Sequence, residues 1–168
     1  MSPRTIRPAR PDDLAAVSAL LADSYPTLLA PDYPADVLAR VLPFIAKAKP
    51  NLLASGTYHV AHDASGQLLA GGGWTAVAPG AEATVPGVGH IRHVVANPKT
   101  LRQGHARAVL EVSLRQAKTA GIRRMCCLST LTARDFYGRL GFVPMSERDV
   151  LIGPERVPFP SVEMALTL

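Results

Sequence analysis

The sequence predicts an α/β (α+β) protein, a central sheet with helices packed on it. Three observations carry that prediction. Strand-like runs and helical apolar periods follow one another in the order β-α-α-β-β-β-α-β-α-β-β. Turn residues punctuate them, as Asp63-Ala64-Ser65-Gly66, Asn97-Pro98, Gly121 and Gly141 do. The chain has 168 residues, 48% of them hydrophobic, and no linker or internal repeat divides residues 1–168, so one domain with one core is expected.

Thr5-Ile6-Arg7-Pro8-Ala9 reads as the first strand. Pro11-Asp12-Asp13 opens a helix with acidic residues in its first turn, and Leu14, Val17, Leu20 and Leu21 repeat along one face. A Pro-punctuated stretch from Tyr25 to Pro34 leads to a second helix carrying Val37, Leu38, Val41, Leu42 and Ile45. The runs 57–62 and 67–71 form a hairpin about the Asp/Ser/Gly turn, and 78–87 is an exposed Pro/Gly-rich loop. His90 to Ala96 is a central strand. Residues 104–120 form the clearest helix, with Ala106, Val109, Leu110, Leu114 and Ala117 on one face and Gly121 as its stop. Ile122 to Ser129 is a buried strand. Thr132 caps a short helix with Asp135 three residues on, and strands follow from Phe142 and from Ser161 to Leu168.

Composition narrows the classes. No apolar run approaches the roughly 20 residues of a membrane span, and the N-terminus carries no signal-like stretch, so a cytoplasmic protein without membrane partners is expected. The two cysteines, Cys126 and Cys127, are adjacent in an apolar run; they read as core residues, and no metal site can be built from them. The formal charge of +5 comes from scattered bases, with a mild concentration from Lys99 to Arg124. That scatter argues against a nucleic-acid partner, and an anionic nucleotide cofactor accounts for part of the cluster.

The segment with chemical content runs from strand 90–96 through the turn 97–103 into the helix near Gly104. The first amides of a helix lack intrahelical partners and lie at the positive end of its dipole, which suits a phosphate. Gly104 admits close backbone approach, and Arg102, Gln103 and Arg107 add charge and donors. A second segment, Phe136-Tyr137-Gly138-Arg139-Leu140-Gly141-Phe142, joins a short helix to a strand.

Together the two segments resemble the GNAT N-acetyltransferase superfamily. Ala96-Asn97-Pro98 matches its strand end, Leu101-Arg102-Gln103-Gly104-His105-Ala106 its pyrophosphate turn, and Tyr137 to Phe142 its third block without a gap. A bacterial branch, with His-Ile-Arg before the strand and an A-T-L-like tripeptide before the tyrosine helix, is the most similar. Ser129-Thr130-Leu131 occupies the tripeptide's place. Two positions depart from the pattern: Leu101 replaces the usual Gln or Arg, and Thr130 stands where many members carry Asn.

The resemblance implies a mixed, mostly antiparallel sheet with helices on both faces, and acetyl-CoA as co-substrate without a metal. It implies that Val94, Val95 and Ala96 lie beside the pantetheine and thioester, and that turn amides from Arg102 to Arg107 take the pyrophosphate. His105 contributes its amide, and Thr130 meets the pantetheine arm or acts as a cap. Tyr137 corresponds to the general acid, because a phenol of pKa about 10 holds a proton for the leaving thiolate. His90 stands where many relatives carry the glutamate that deprotonates the amine, and His93, His59 and His62 compete for that role. Strand alternation puts Arg92 on the side of His90, with Ile91 and His93 on the other. Tyr25 and Trp74 are the candidates to line the acceptor pocket.

The function so implied is transfer of an acetyl group to a primary amine, of a small molecule, in a ternary complex. A macromolecular acceptor (a protein amine or an aminoacyl-tRNA) and a non-catalytic acyl-CoA-binding regulator are the alternatives, and a homodimer is compatible with all of them. A Rossmann-type dinucleotide binder is excluded, since no G-x-G-x-x-G opens a helix.

Overall fold

The computed structural model describes residues 3–168. Its strands are β1 (Thr5–Pro8), β2 (Tyr58–His62), β3 (Leu68–Thr75), β4 (Val88–Ala96), β5 (Arg124–Thr130), β6 (Val143–Ile152) and β7 (Val157–Thr167). They form one sheet in the order β1-β2-β3-β4-β5-β7-β6. Every neighbouring pair is antiparallel except β4 and β5, which run parallel. A parallel pair needs a crossover, and α4 (His105–Thr119) supplies it.

Helices cover both faces, as the resemblance implies. Helix α4 packs Leu110 and Ala117 with Ile91 and Met125 on one side. On the other, α1 (Leu14–Leu29) sets Val17, Leu20 and Leu21 against Tyr58, Val60 and Val95. Burying each such side chain contributes about 1.5–3 kcal/mol, so these stripes fix which way the helices lie. A third cluster joins α2 (Ala35–Ile45) to β7, with Leu38 and Val41 against Val157 and Phe159. Tyr33 stacks on Phe159 at 4.3 Å and donates to the Pro160 carbonyl at 2.6 Å.

Several local expectations give way to packing. Pro11–Asp13 is a single 3-10 turn, and α1 begins only at Leu14. Asp13 instead accepts two bonds from Arg7, at 2.8 and 2.9 Å. Helix α1 runs through Pro26, because Leu29 is buried against Tyr33 and holds the last turn. A short α3 (Pro50–Leu53), absent from the predicted order, starts with proline at its first position, where no N–H is needed. Strand β3 continues across Gly71-Gly72-Gly73 to Thr75. Gly73 is required there, because a Cβ would collide with the Thr57 carbonyl oxygen. Strand β7 begins at Val157 rather than Ser161, and the capping box at Thr132 does not form. Thr132 donates to Asp32 at 2.7 Å, while Thr130 accepts from the Ala133 N–H at 3.1 Å in the turn before α5 (Arg134–Arg139).

Candidate active site

Strands β4 and β5 pair only at Val88↔Arg124, Gly89↔Met125 and His90↔Cys126, and then part. A bulge lies just beyond. Along β3 the partners step from Gly73↔Arg92 to Gly71↔Val95, so His93 and Val94 face only Gly72. His93 adopts φ 46, the left-handed region that non-glycine residues rarely occupy. Parting from β5 leaves the β4 carbonyls in need of partners. Three hydroxyls supply them: Tyr58 to His93 at 2.7 Å, Tyr25 to Val94 at 3.2 Å and Ser24 to Ala96 at 3.0 Å.

The bulge also changes which side chains face which way. Ile91 and Val94 both pack with the α4 cluster, whereas Val95 packs with α1. Strict alternation would send His93 away from Arg92; instead the two line one cavity. The bulge interrupts the alternation at His93, whose ring feels the charges of both Lys49 and Arg92. His90 lies opposite Thr75, whose hydroxyl accepts from Arg92 at 3.1 Å, so His90 and Arg92 do share a side. His90 nevertheless stays outside the cavity lining.

The cavity occupies about 570 Å³ between the parted strands, α1 and α5 (Arg134–Arg139). Val94, Val95, Ala96, Thr130 and Tyr137 line it, with Tyr25 across from them. At one end Leu101 and Ala106 bring in the turn ahead of α4. Arg102 and Gly104 both take left-handed φ, 62 and 76 degrees, in the turn that leads into α4. A Cβ added at Gly104 would meet nothing within 4 Å, so the helix start faces open space. Arg102 and Gln103 are exposed; Arg107 pairs with Glu111 at 2.9 Å. The His105 side chain turns inward, with Nδ1 3.0 Å from Arg4, leaving its backbone to the turn.

Tyr137 is buried, set edge-on against Phe136 and Phe142 at 5.2 and 5.4 Å. Among the described residues its hydroxyl has no hydrogen-bond partner. Burial, aided by Cys127, Tyr25 and Tyr58, holds its pKa well above the usual phenol value, so it carries its proton throughout the physiological range. Burial raises Tyr25 to about 12 and, with Cys126 beside it, the Cys127 thiol to about 12 as well. His93 is pushed down to about 4 by burial first, then by Lys49 and Arg92. Its Nδ1 is buried without a partner.

Trp74 does not reach this cavity. It is buried in the α4 cluster and donates from Nε1 to Gln116 at 3.0 Å, because β3 points it to the opposite face. His59 bonds Ser113 at 2.9 Å, and neither it nor His62 lines the cavity. Four residues on or against this site went unassigned in the sequence: Ser24, Lys49, Arg92 and Cys127. The Gly71–Gly73 run was the available signal for the bulge; nothing local marked Lys49. Among the described residues no helix is long and apolar enough to cross a membrane.

Residues 29–159 match the profile of an acetyltransferase (GNAT) domain. No curated protein matches the chain. Solved structures with the same fold include a GCN5-related N-acetyltransferase from Rhodopseudomonas palustris, at TM-score 0.78 and 20% identity over 100% of this chain and 98% of that one. PaiA N-acetyltransferase from Thermoplasma acidophilum, in complex with coenzyme A, superposes at 0.72 with 12% identity over 99% of each chain. A GNAT family acetyltransferase from Brucella melitensis, in complex with acetyl-CoA, reaches 0.62 with 19% identity over 100% of this chain and 90% of that one. The chain belongs to the GNAT acetyltransferase family.

Proposed function

We propose that the chain transfers an acetyl group from acetyl-CoA to the amine of a small molecule, directly, with both substrates bound together. The parting of β4 from β5 beside Tyr137, with an open helix start at one end of the same cavity, carries this reading. The turn amides from Arg102 to Arg107 at the start of α4 suit the pyrophosphate, and the stretch Val94 to Ala96, unpaired with β5, suits the pantetheine arm. Thr130 lines the same channel, its hydroxyl shared with the Ala133 cap. A cavity of about 570 Å³ suits a small acceptor beside an acyl-pantetheine tail.

In the transfer the amine nitrogen bonds the acetyl carbon and the carbon–sulfur bond breaks. The nitrogen gives up one proton and the sulfur takes one. Tyr137, still protonated at neutral pH, is the donor to sulfur. His93, the one histidine lining the cavity among the described residues, has an unpartnered buried Nδ1 and is the proposed acceptor of the amine's proton, directly or through water. His90 is the alternative from the rim. The retained tyrosine speaks against a non-catalytic regulator.

Calorimetry with CoA and acetyl-CoA tests the cofactor half. Binding should be abolished by Ala106→Glu, which puts a carboxylate at the cavity end where the phosphates would sit. An unresponsive wild type would overturn the reading. Thiol release across an amine panel tests the transfer.

A further inference from the structure

The cavity wall is lopsided in charge. Phe44, Leu28 and Phe159 are among its apolar lining, while the exposed Lys49 and the half-buried Arg92 and His93 lie close enough to perturb one another's charge. Among the described residues no Asp or Glu lines it. Five arginines, Arg7, Arg40, Arg107, Arg134 and Arg148, pair with carboxylates away from the cavity. Lys49 and Arg92 make no ion pair among the described residues. Arg92 has five N–H donors and uses one on the Thr75 hydroxyl.

Grouping uncompensated cations in a partly desolvated pocket costs free energy. Burial lowers Lys49 and Arg92, and Arg92 lowers Lys49 further. The cofactor's phosphates do not answer this patch. They belong at the turn beyond Ala96, and Arg92 to Ala96 spans three steps of the partner strand, Gly73 to Ala70, about 10 Å. An acyl-pantetheine arm is uncharged where it passes Arg92. A polycationic amine would be repelled.

Resting on the acetyl-transfer reading, we propose that the acceptor carries its own anionic group, a carboxylate or a phosphate, which Lys49 and Arg92 hold while an apolar body fills the side of Phe44, Leu28 and Phe159. An apolar amino carboxylate fits this description. The same cations destabilise an ammonium form, and so favour the neutral nitrogen that attacks.

The test is a matched panel on the intact protein with acetyl-CoA: leucine and phenylalanine, their decarboxylated amines (isoamylamine and phenethylamine), phosphoethanolamine, and spermidine. An amine that carries an anionic group should exceed its counterpart without one at least about tenfold in kcat/KM, chiefly through KM. Preference for phosphoethanolamine would assign the patch to phosphate, and preference for the amino acids to carboxylate. Lys49→Gln and Arg92→Gln should each cut that preference about 10- to 100-fold, with Arg92→Lys restoring part of it. Equal or better rates with isoamylamine, phenethylamine or spermidine would overturn the inference, as would a preference that survives both substitutions. Ligand-observed NMR of N-acetyl-leucine against N-acetyl-isoamylamine gives a readout without turnover. Selective binding of the carboxylate, lost in Lys49→Gln, upholds the inference even where transfer fails, and its absence overturns it.

Discussion

Two protons must move at this site, and the residues suited to move them differ in how openly the sequence displays them. Tyr137 sits in an ungapped motif, and its neighbours Phe136 and Phe142 bury the ring while its hydroxyl stays unpartnered. Tyr137→Phe keeps the ring and removes the proton. Steady-state assays should show turnover falling about 10²–10⁴-fold with acetyl-CoA affinity near wild type. Unchanged turnover would reduce Tyr137 to packing. His93 was hidden, because the bulge that interrupts the period of β4 beside it is not marked in the strand's own residues. His93→Ala should lower kcat/KM more than His90→Ala does. The acid limb assigned to His93 should fall near pH 4, since a neutral imidazole accepts a proton only above its own pKa. A limb near 6.5 that disappears in His90→Ala would return the role to His90.

At the scale of elements, the order of strands and helices was legible because most have one buried face with a clear period. The failures have physical causes. Strand β6 is exposed along nearly its whole length, so no alternation marks its ten residues. In β3 three glycines read as a break, yet the Tyr58 ring and the Thr57 backbone approach so closely that only glycine fits. Helix α3 is too short to show a period. Two glycine substitutions separate local propensity from packing. Gly73→Ala drives a methyl into the Thr57 carbonyl and should cost about 1–3 kcal/mol or more in urea unfolding. Gly138→Ala lies inside α5 with nothing within 4 Å, and should stabilise by about 0.4–1 kcal/mol. A neutral Gly73→Ala would mean that β2 and β3 can move apart.

For the whole molecule the titration behaviour follows from how it houses its histidines. All five, His59, His62, His90, His93 and His105, have pKa values below the usual 6.5, and in each case burial is the largest cause. The unfolded chain therefore binds protons near pH 6.5 that the folded chain refuses. Where the unfolded state holds more protons, stability rises with pH. This contribution is complete above about 6.5 and is lost as the pH falls from there towards the folded values, near 4 for His93. Asp13 acts in the same direction in a lower window: Arg7 holds its pKa below 3.8, so its share is lost only in stronger acid. Melting temperature should thus fall steadily between pH 7 and pH 4, by about 2–4 °C for each kcal/mol withdrawn from a chain of this size. His93→Gln removes the imidazole with the largest depression and should flatten that slope, whatever it does to activity at pH 7. Calorimetric scans of both proteins at half-unit pH intervals measure it. Equal slopes would mean that His93 is as well solvated in the folded protein as in the unfolded chain. The enclosed cavity wall around it would then be wrong, and with it the choice of His93 over His90.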